Sequence, residues 1–277
     1  MPATLSERAD VLAQRIVEEL EGTIPLLSHE QAKQQPVHPD GYTDVDIAAT
    51  RVARMLHLLQ AARVLGHQHL GTALASVARA MWDTWFDLAW LLHDPSLRVQ
   101  RAEEYAVAGF AQQVGVLRMF YQRDGFLAPH LAEALKTREA QVQKDPGRYT
   151  RWFNTDGQLT KSVHSIRWPP ERTGVRARQM GPMYERAYDI DYTLLSAPAH
   201  GQGLELPRLI ERTTEGTRIA LGEGEEAATA LLVESVGIAL TLVYEIQRAY
   251  LGGAYSLSLD LLRDSVAQLR AECQTLI

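Results

Sequence analysis

Two stretches of this chain carry ionisable side chains at spacings that suit chemistry. In the first, Arg79, Asp83 and Asp87 recur every four residues among Trp82, Trp85, Phe86 and Trp90, so on a helix they share one face. Arg79 and Asp83 form a permitted i,i+4 ion pair. If that face is buried, its charges must be paired, and a carboxylate on it acquires a pKa suited to acid–base or ligand work. If it is solvated, the stripe is the wet side of a helix. In the second stretch Tyr184, Tyr188 and Tyr192 are also four apart, Ser196 continues the line, and Pro198 ends the helix so that His200 follows on the turn. A histidine held there by a phenol or carboxylate titrates near neutral pH. Ser196 and His200 have the types of a nucleophile and its base, but the Gly-x-Ser-x-Gly elbow of the hydrolases is absent. The plainer reading is a tyrosine ridge in the core, with Ser196 and His200 satisfying the helix end.

A third stretch is basic. Arg148, Arg151, Lys161, Arg167, Arg172, Arg176 and Arg178 are interleaved with Trp152 and Trp168, the mixture of phosphate-binding cations and aromatic faces that single-stranded nucleic acid needs. The alternative is a surface loop whose arginines pair with the acidic C-terminal third and whose tryptophans anchor it. Glu234 and Glu245, eleven apart, share a helical face, but no Glu-x-x-His motif accompanies them. Cys273 is the single cysteine, which removes multi-cysteine zinc sites and internal disulfides. Neither a metal nor another cofactor is expected.

Helices must position these residues. Thr4 and Glu7 form a capping box ahead of Leu5, Ala9, Leu12, Ile16 and Leu20, with Gly22 placed to close the first helix. Pro25, Pro36, Pro39 and Gly41 mark Ile24–Tyr42 as a loop. Helices are expected at about 43–66, 67–93, 94–123 and 129–144, then starting at Pro170 and Pro182, with a short one at 207–215 and long ones at 225–251 and 258–275. The third is apolar nearly all round in its second half, as befits the middle of a bundle. No segment alternates long enough to read as a strand. The expected fold is all-α: residues 1–42 form an N-terminal helix and loop, and 43–277 a single bundle of about eight to ten helices with an irregular basic insertion near 146–181.

Composition narrows the function classes. The 277 residues are 46% hydrophobic and 22% charged with net charge -6, a globular composition without whole-surface attraction to nucleic acid or anionic membrane. The charge is uneven, however: residues 147–186 hold 8 basic against 3 acidic side chains, and residues 187–277 hold 6 against 13. The uncharged stretches, Val64–Ala78 and Ala249–Leu259, are too short or polar for a transmembrane helix. The opening residues lack the basic and apolar regions of a secretory leader, so the expected location is the cytoplasm, with no membrane partner.

Arg79 with its acid four later, the close at Asp94-Pro95, then Arg101 and Tyr105, resemble the first half of a widespread bacterial all-helical family of unknown function. Tyr184, Tyr188, Ser196 and His200 resemble its second signature, and the likeness covers roughly residues 45–250. The resemblance implies a helical fold and a site where Arg79, Asp83, Ser196 and His200 converge as catalytic groups; it implies no activity. A weaker similarity is to helical nucleases of bacterial defence and toxin–antitoxin systems, which place His shortly after Arg, as in Arg51–His57, Arg63–His69 and Arg123–His130. Chance alone yields about two such pairs. Two function classes follow. One is a stress or phage-defence effector that binds RNA and cleaves it, with residues 148–178 gripping the strand. The other is a non-catalytic interaction module, a homodimer or the partner of another protein, joined through the Trp-rich helix or the tyrosine face.

Overall fold

The computed structural model describes residues 3–36, 41–169, 171–193, 210–213, 216–219, 225–252 and 257–274. Ten α-helices lie among them, and the fold is all-α with one short β-ribbon. Helix α1, Leu5–Gln31, opens on the expected box, with Thr4 N donating to Glu7 Oε2 at 2.7 Å and Glu7 N to Thr4 Oγ1 at 3.2 Å. It runs on through Gly22 and Pro25, where the sequence suggests a stop. Leu20, Thr23 and Leu27 are all buried, and their packing outweighs the loss of one backbone bond at the proline. Helices α2, Asp44–His67, α3, Gly71–His93, and α4, Arg98–Asp124, follow as expected, α4 after a 3₁₀ turn at Pro95–Leu97. Next come α5, Pro129–Lys144, and the single turn α6, Pro146–Tyr149. Two short helices, α7 at Thr173–Met180 and α8 at Pro182–Ala187, lead into a π turn over Tyr188–Tyr192. The long helices α9, Glu225–Tyr250, and α10, Leu257–Gln274, complete the described chain.

The short helix expected at 207–215 gives way to an antiparallel ribbon. Strand β1, Ile210–Thr213, pairs with β2, Gly216–Ile219, with Ile210 opposite Ile219 and Arg212 opposite Thr217. Isoleucine and threonine suit a pleated strand better than a helix, and a hairpin so short leaves little alternation to read.

The helices condense into two compact units: Met1–Gln34, Val45–Pro95 and Thr173–Ile277 form the first, Gln35–Asp44 and Ser96–Arg172 the second. The N-terminal helix belongs to the first of these units. In the first unit α9 packs against α3 and α1, α10 against α9 and α1, and α7 against α3. The apolar half of α3 is interior as expected: Met81, Trp82, Trp85, Phe86, Leu88 and Leu91 are all buried. Among the described residues α9 alone is long and apolar enough to cross a membrane, and 67% of its apolar window is buried inside the protein. Arg63 of α2 holds Asp10 of α1 through both carboxylate oxygens at 2.7 and 3.1 Å, and His67 Nε2 lies 3.2 Å from the same group. Hydrogen bonding from Arg63, reinforced by its charge and that of His67, lowers the Asp10 pKa against a contrary push from burial.

A lowered acid contributes stability above its unfolded pKa of about 3.9, and that stability is lost as pH falls through the folded value. The urea midpoint of wild type should therefore exceed that of Asp10→Asn by a constant margin near neutrality, and the margin should close below about pH 4. A margin unchanged at about pH 2 would contradict this pairing.

The second unit has its own core, where Val107, Phe110, Ala111 and Val114 of α4 meet Val142 of α5, Tyr149, Trp152, Phe153 and Ile166. The stretch after α6, irregular by composition, is organised by Asn154, whose Oδ1 accepts from the backbone N–H groups of Asp156 and Gln158. The chain thereby doubles back, Thr160 N donating to Trp152 O at 2.9 Å.

Candidate functional site

The α3 stripe lies in the first unit and is not simply solvated. Asp87 bridges two arginines, Oδ2 lying 3.1 Å from Arg51 Nη2 and Oδ1 3.0 Å from Arg176 Nη1. Arg51 and Arg176 are 9% and 4% exposed, and that carboxylate offsets both buried charges. Burial raises the Asp87 pKa, Arg51 and Arg176 pull it back, and Asp83 adds to the upward push. Arg176 Nη2 also donates to Thr173 Oγ1 at 3.2 Å, and the Tyr192 hydroxyl lies 3.4 Å from the same oxygen. Tyr192 in turn donates to Asp83 Oδ1 at 3.0 Å and accepts from Arg79 Nη2. Arg79 closes the chain of contacts with an ion pair to Asp83 at 2.6 Å and lies over the Tyr192 ring, 3.4 Å from its centroid. One polar network thus ties α2, α3, α7 and the π turn together.

Tyr192 is a donor here and not an incipient phenolate. Burial raises its pKa, which the neighbouring Thr173 hydroxyl opposes and Asp83 supports. The tyrosine line expected from the sequence is present and faces α3. The Tyr184 ring stacks on Trp85, Tyr188 and Tyr192 meet Phe86 edge-on, and Tyr188 stacks on Tyr192 at 4.9 Å. Tyr184 donates to Glu245 Oε1 of α9 at 2.7 Å; burial raises its pKa and Glu245 adds to the shift. Glu234, by contrast, pairs with Arg270 of α10 at 2.7 Å. The two glutamates have separate partners, and no cluster of three or more metal-ligating side chains occurs among the described residues.

Gly174 makes room for this stack. A Cβ at that position would lie 2.7 Å from the Tyr188 ring. Gly174→Ala should therefore displace Tyr188 and lower the unfolding free energy by about 1–3 kcal/mol, read by chemical denaturation. An unchanged midpoint would show that the ring can move away without loss.

Arg79 and Asp83 thus meet Tyr192 of the tyrosine line, while Ser196 and His200 lie outside the described residues. Arg51 and Thr173 were not singled out for this network by sequence. Arg51 had a readable signal: it stands between Ile47 and Met55 at i,i+4 spacing, a cation in a buried row of α2. The Trp-rich helix and the tyrosine face are interior, Trp82, Trp85, Tyr184 and Tyr192 being at most 7% exposed. Trp90 and Tyr188 are half-buried.

The basic residues divide between the units. Arg176 is buried on Asp87 and is not presented to a strand, and Arg178 pairs with Glu185 at 3.3 Å, also in the first unit. The other five, Arg148, Arg151, Lys161, Arg167 and Arg172, belong to the second unit. There Trp152 is buried, with Arg151 and Lys161 over its ring at 5.3 and 5.7 Å. Trp152 is thus a floor and not a free stacking face. Arg151, Trp152, Lys161, His164, Ser165 and Arg167 line a hollow of about 470 Å³ that contains no carboxylate. Arg151, Trp152 and Arg167 are shared with a second hollow of about 310 Å³, whose walls include Arg148, Trp168, Glu103 and Glu104. Arg148 pairs with Glu103 and Asp145. Trp168 is half-buried, edge-on to Tyr105 at 4.9 Å, and Arg172 is exposed.

No match supports the nuclease likeness. Two of the arginines that suggested it have structural partners, Arg63 on Asp10 and Arg51 on Asp87. Neither the curated proteins nor the solved structures include a match to this chain. Residues 45–217, which hold the α3 stripe, the basic segment and the tyrosine line, match the family of unknown function DUF5677, and the chain belongs to that family.

Proposed function

We propose that the chain binds single-stranded RNA through the second unit, gripping phosphates more than reading bases. The observation that carries this is the 470 Å³ hollow, where Arg151, Lys161 and Arg167 converge without an acidic side chain in the lining. Guanidinium and ammonium groups recognise phosphate by charge-assisted hydrogen bonds. With Trp152 buried as the floor, base stacking contributes less than the sequence suggests, so binding tolerates sequence. The net charge of -6 confines attraction to this face and makes it salt-sensitive. In the first unit Arg79, Asp83 and Tyr192 pair with one another, which favours binding over cleavage. A role in bacterial stress or phage defence is compatible with such an RNA-binding protein.

The test is an anisotropy titration of single-stranded RNA between about 50 and 200 mM salt. Three phosphate contacts give a log–log slope near -2. Absent binding at the low-salt end, or binding indifferent to salt, would reject the reading. A second reading, a homodimeric interaction module, is favoured by Met119, Phe120, Tyr121 and Phe126, which are exposed around the end of α4. Sedimentation of wild type against Phe126→Glu decides it: a dimer lost in the variant supports this reading, and a wild-type monomer rejects it.

A further inference from the structure

We infer that the two hollows form one bipartite site for a nucleoside monophosphate unit, the phosphate in the larger and the nucleoside in the smaller; taken as the end of a strand, this rests on the RNA reading above. The hollows are contiguous because Arg151, Trp152 and Arg167 line both. Their chemistry differs. The larger offers three cations, the Ser165 hydroxyl and the His164 imidazole, and no carboxylate. A phosphomonoester carries close to two charges and three terminal oxygens, and uses that many donors. An internal phosphodiester has a single charge and a chain leaving on both sides, and engages fewer of these donors.

The smaller hollow includes the carboxylates of Glu103 and Glu104. Arg148, paired with Glu103, offsets one of them, so this side still disfavours a phosphate, and the carboxylates accept hydrogen bonds from ribose hydroxyls and base amino groups. The Gln100 amide and the half-buried Trp168 complete walls suited to a nucleoside. Charge therefore sets the orientation: the dianion goes to the acid-free side. Each hollow lies within the size range of small-molecule sites.

The same chemistry is presented by the 5′-phosphorylated end of an RNA and by a free nucleoside 5′-monophosphate, and the experiment separates them. One short RNA is titrated with a 5′-phosphate and with a 5′-hydroxyl, and a nucleoside 5′-monophosphate is titrated calorimetrically, against wild type and Lys161→Ala. Lys161 is exposed, and circular dichroism verifies that the variant is folded. The phosphorylated RNA should bind about tenfold more tightly than its partner, and Lys161→Ala should erase most of that preference. A mononucleotide that binds as tightly as the phosphorylated RNA, and loses affinity in Lys161→Ala, upholds the site and overturns the RNA reading. Equal affinity for the two RNAs, or an equal loss for both in Lys161→Ala, overturns the bipartite site and leaves the RNA reading standing. Absence of all binding overturns both.

Discussion

Replacing Asp87 by alanine is expected to lower the unfolding free energy by about 3–5 kcal/mol, among the largest effects of any single substitution in the first unit. Asp87 sits between Arg51 and Arg176 at 3.1 and 3.0 Å, and both arginines are buried. Without the carboxylate, two buried guanidinium charges lose the anion that lies between them. Burial raises the Asp87 pKa against the pull of the two adjacent cations, and a buried ionic triad contributes little net stability even though breaking it is costly. The asymmetry can be measured. Replacing all three residues by apolar side chains of similar volume should recover most of the loss, whereas Asp87→Asn, which keeps an acceptor but no charge, should fall between. Urea unfolding followed by circular dichroism reads all three. A loss under about 1 kcal/mol for Asp87→Ala would mean that water reaches the arginines and that the network is not interior.

The same network shows how far the sequence could be read. Arg79, Asp83 and Asp87 were legible because a four-residue spacing fixes a helical face, and the Arg79–Asp83 pair follows from that geometry alone. The partners were not, because Arg51, Thr173 and Tyr192 come from other elements and local periodicity contains no information about which elements meet. Helix extents followed hydrophobic spacing closely for α3, α5, α9 and α10. They failed at α1, where Gly22 and Pro25 are overruled by the packing of Leu20 and Leu27, and at β1, where four residues cannot establish an alternation. The sequence shows the basic segment as a concentration of charge, but not its division between two units. Arg176 follows Arg172 by four residues but turns inward, because α7 packs against α3 and brings it to Asp87.

That division gives the second large effect. Removing Arg151, Lys161 and Arg167 together should weaken RNA binding by roughly two orders of magnitude at low salt and flatten the log–log salt slope by about 2. The three line the acid-free hollow and are exposed at its rim, so their loss should leave the folded state nearly unchanged. Arg176 is the informative contrast. It lies in the same stretch of sequence, but it is buried on Asp87, and Arg176→Ala should destabilise the first unit while the RNA affinity of the still-folded fraction stays at the wild-type value. Measured together, the variants separate two kinds of arginine that sequence alone places in one class. A triple variant that binds RNA as well as wild type would remove the second unit as the binding surface. An Arg176→Ala variant that loses affinity without losing stability would place the buried arginine on the strand, and would overturn the assignment of the basic segment to two separate tasks.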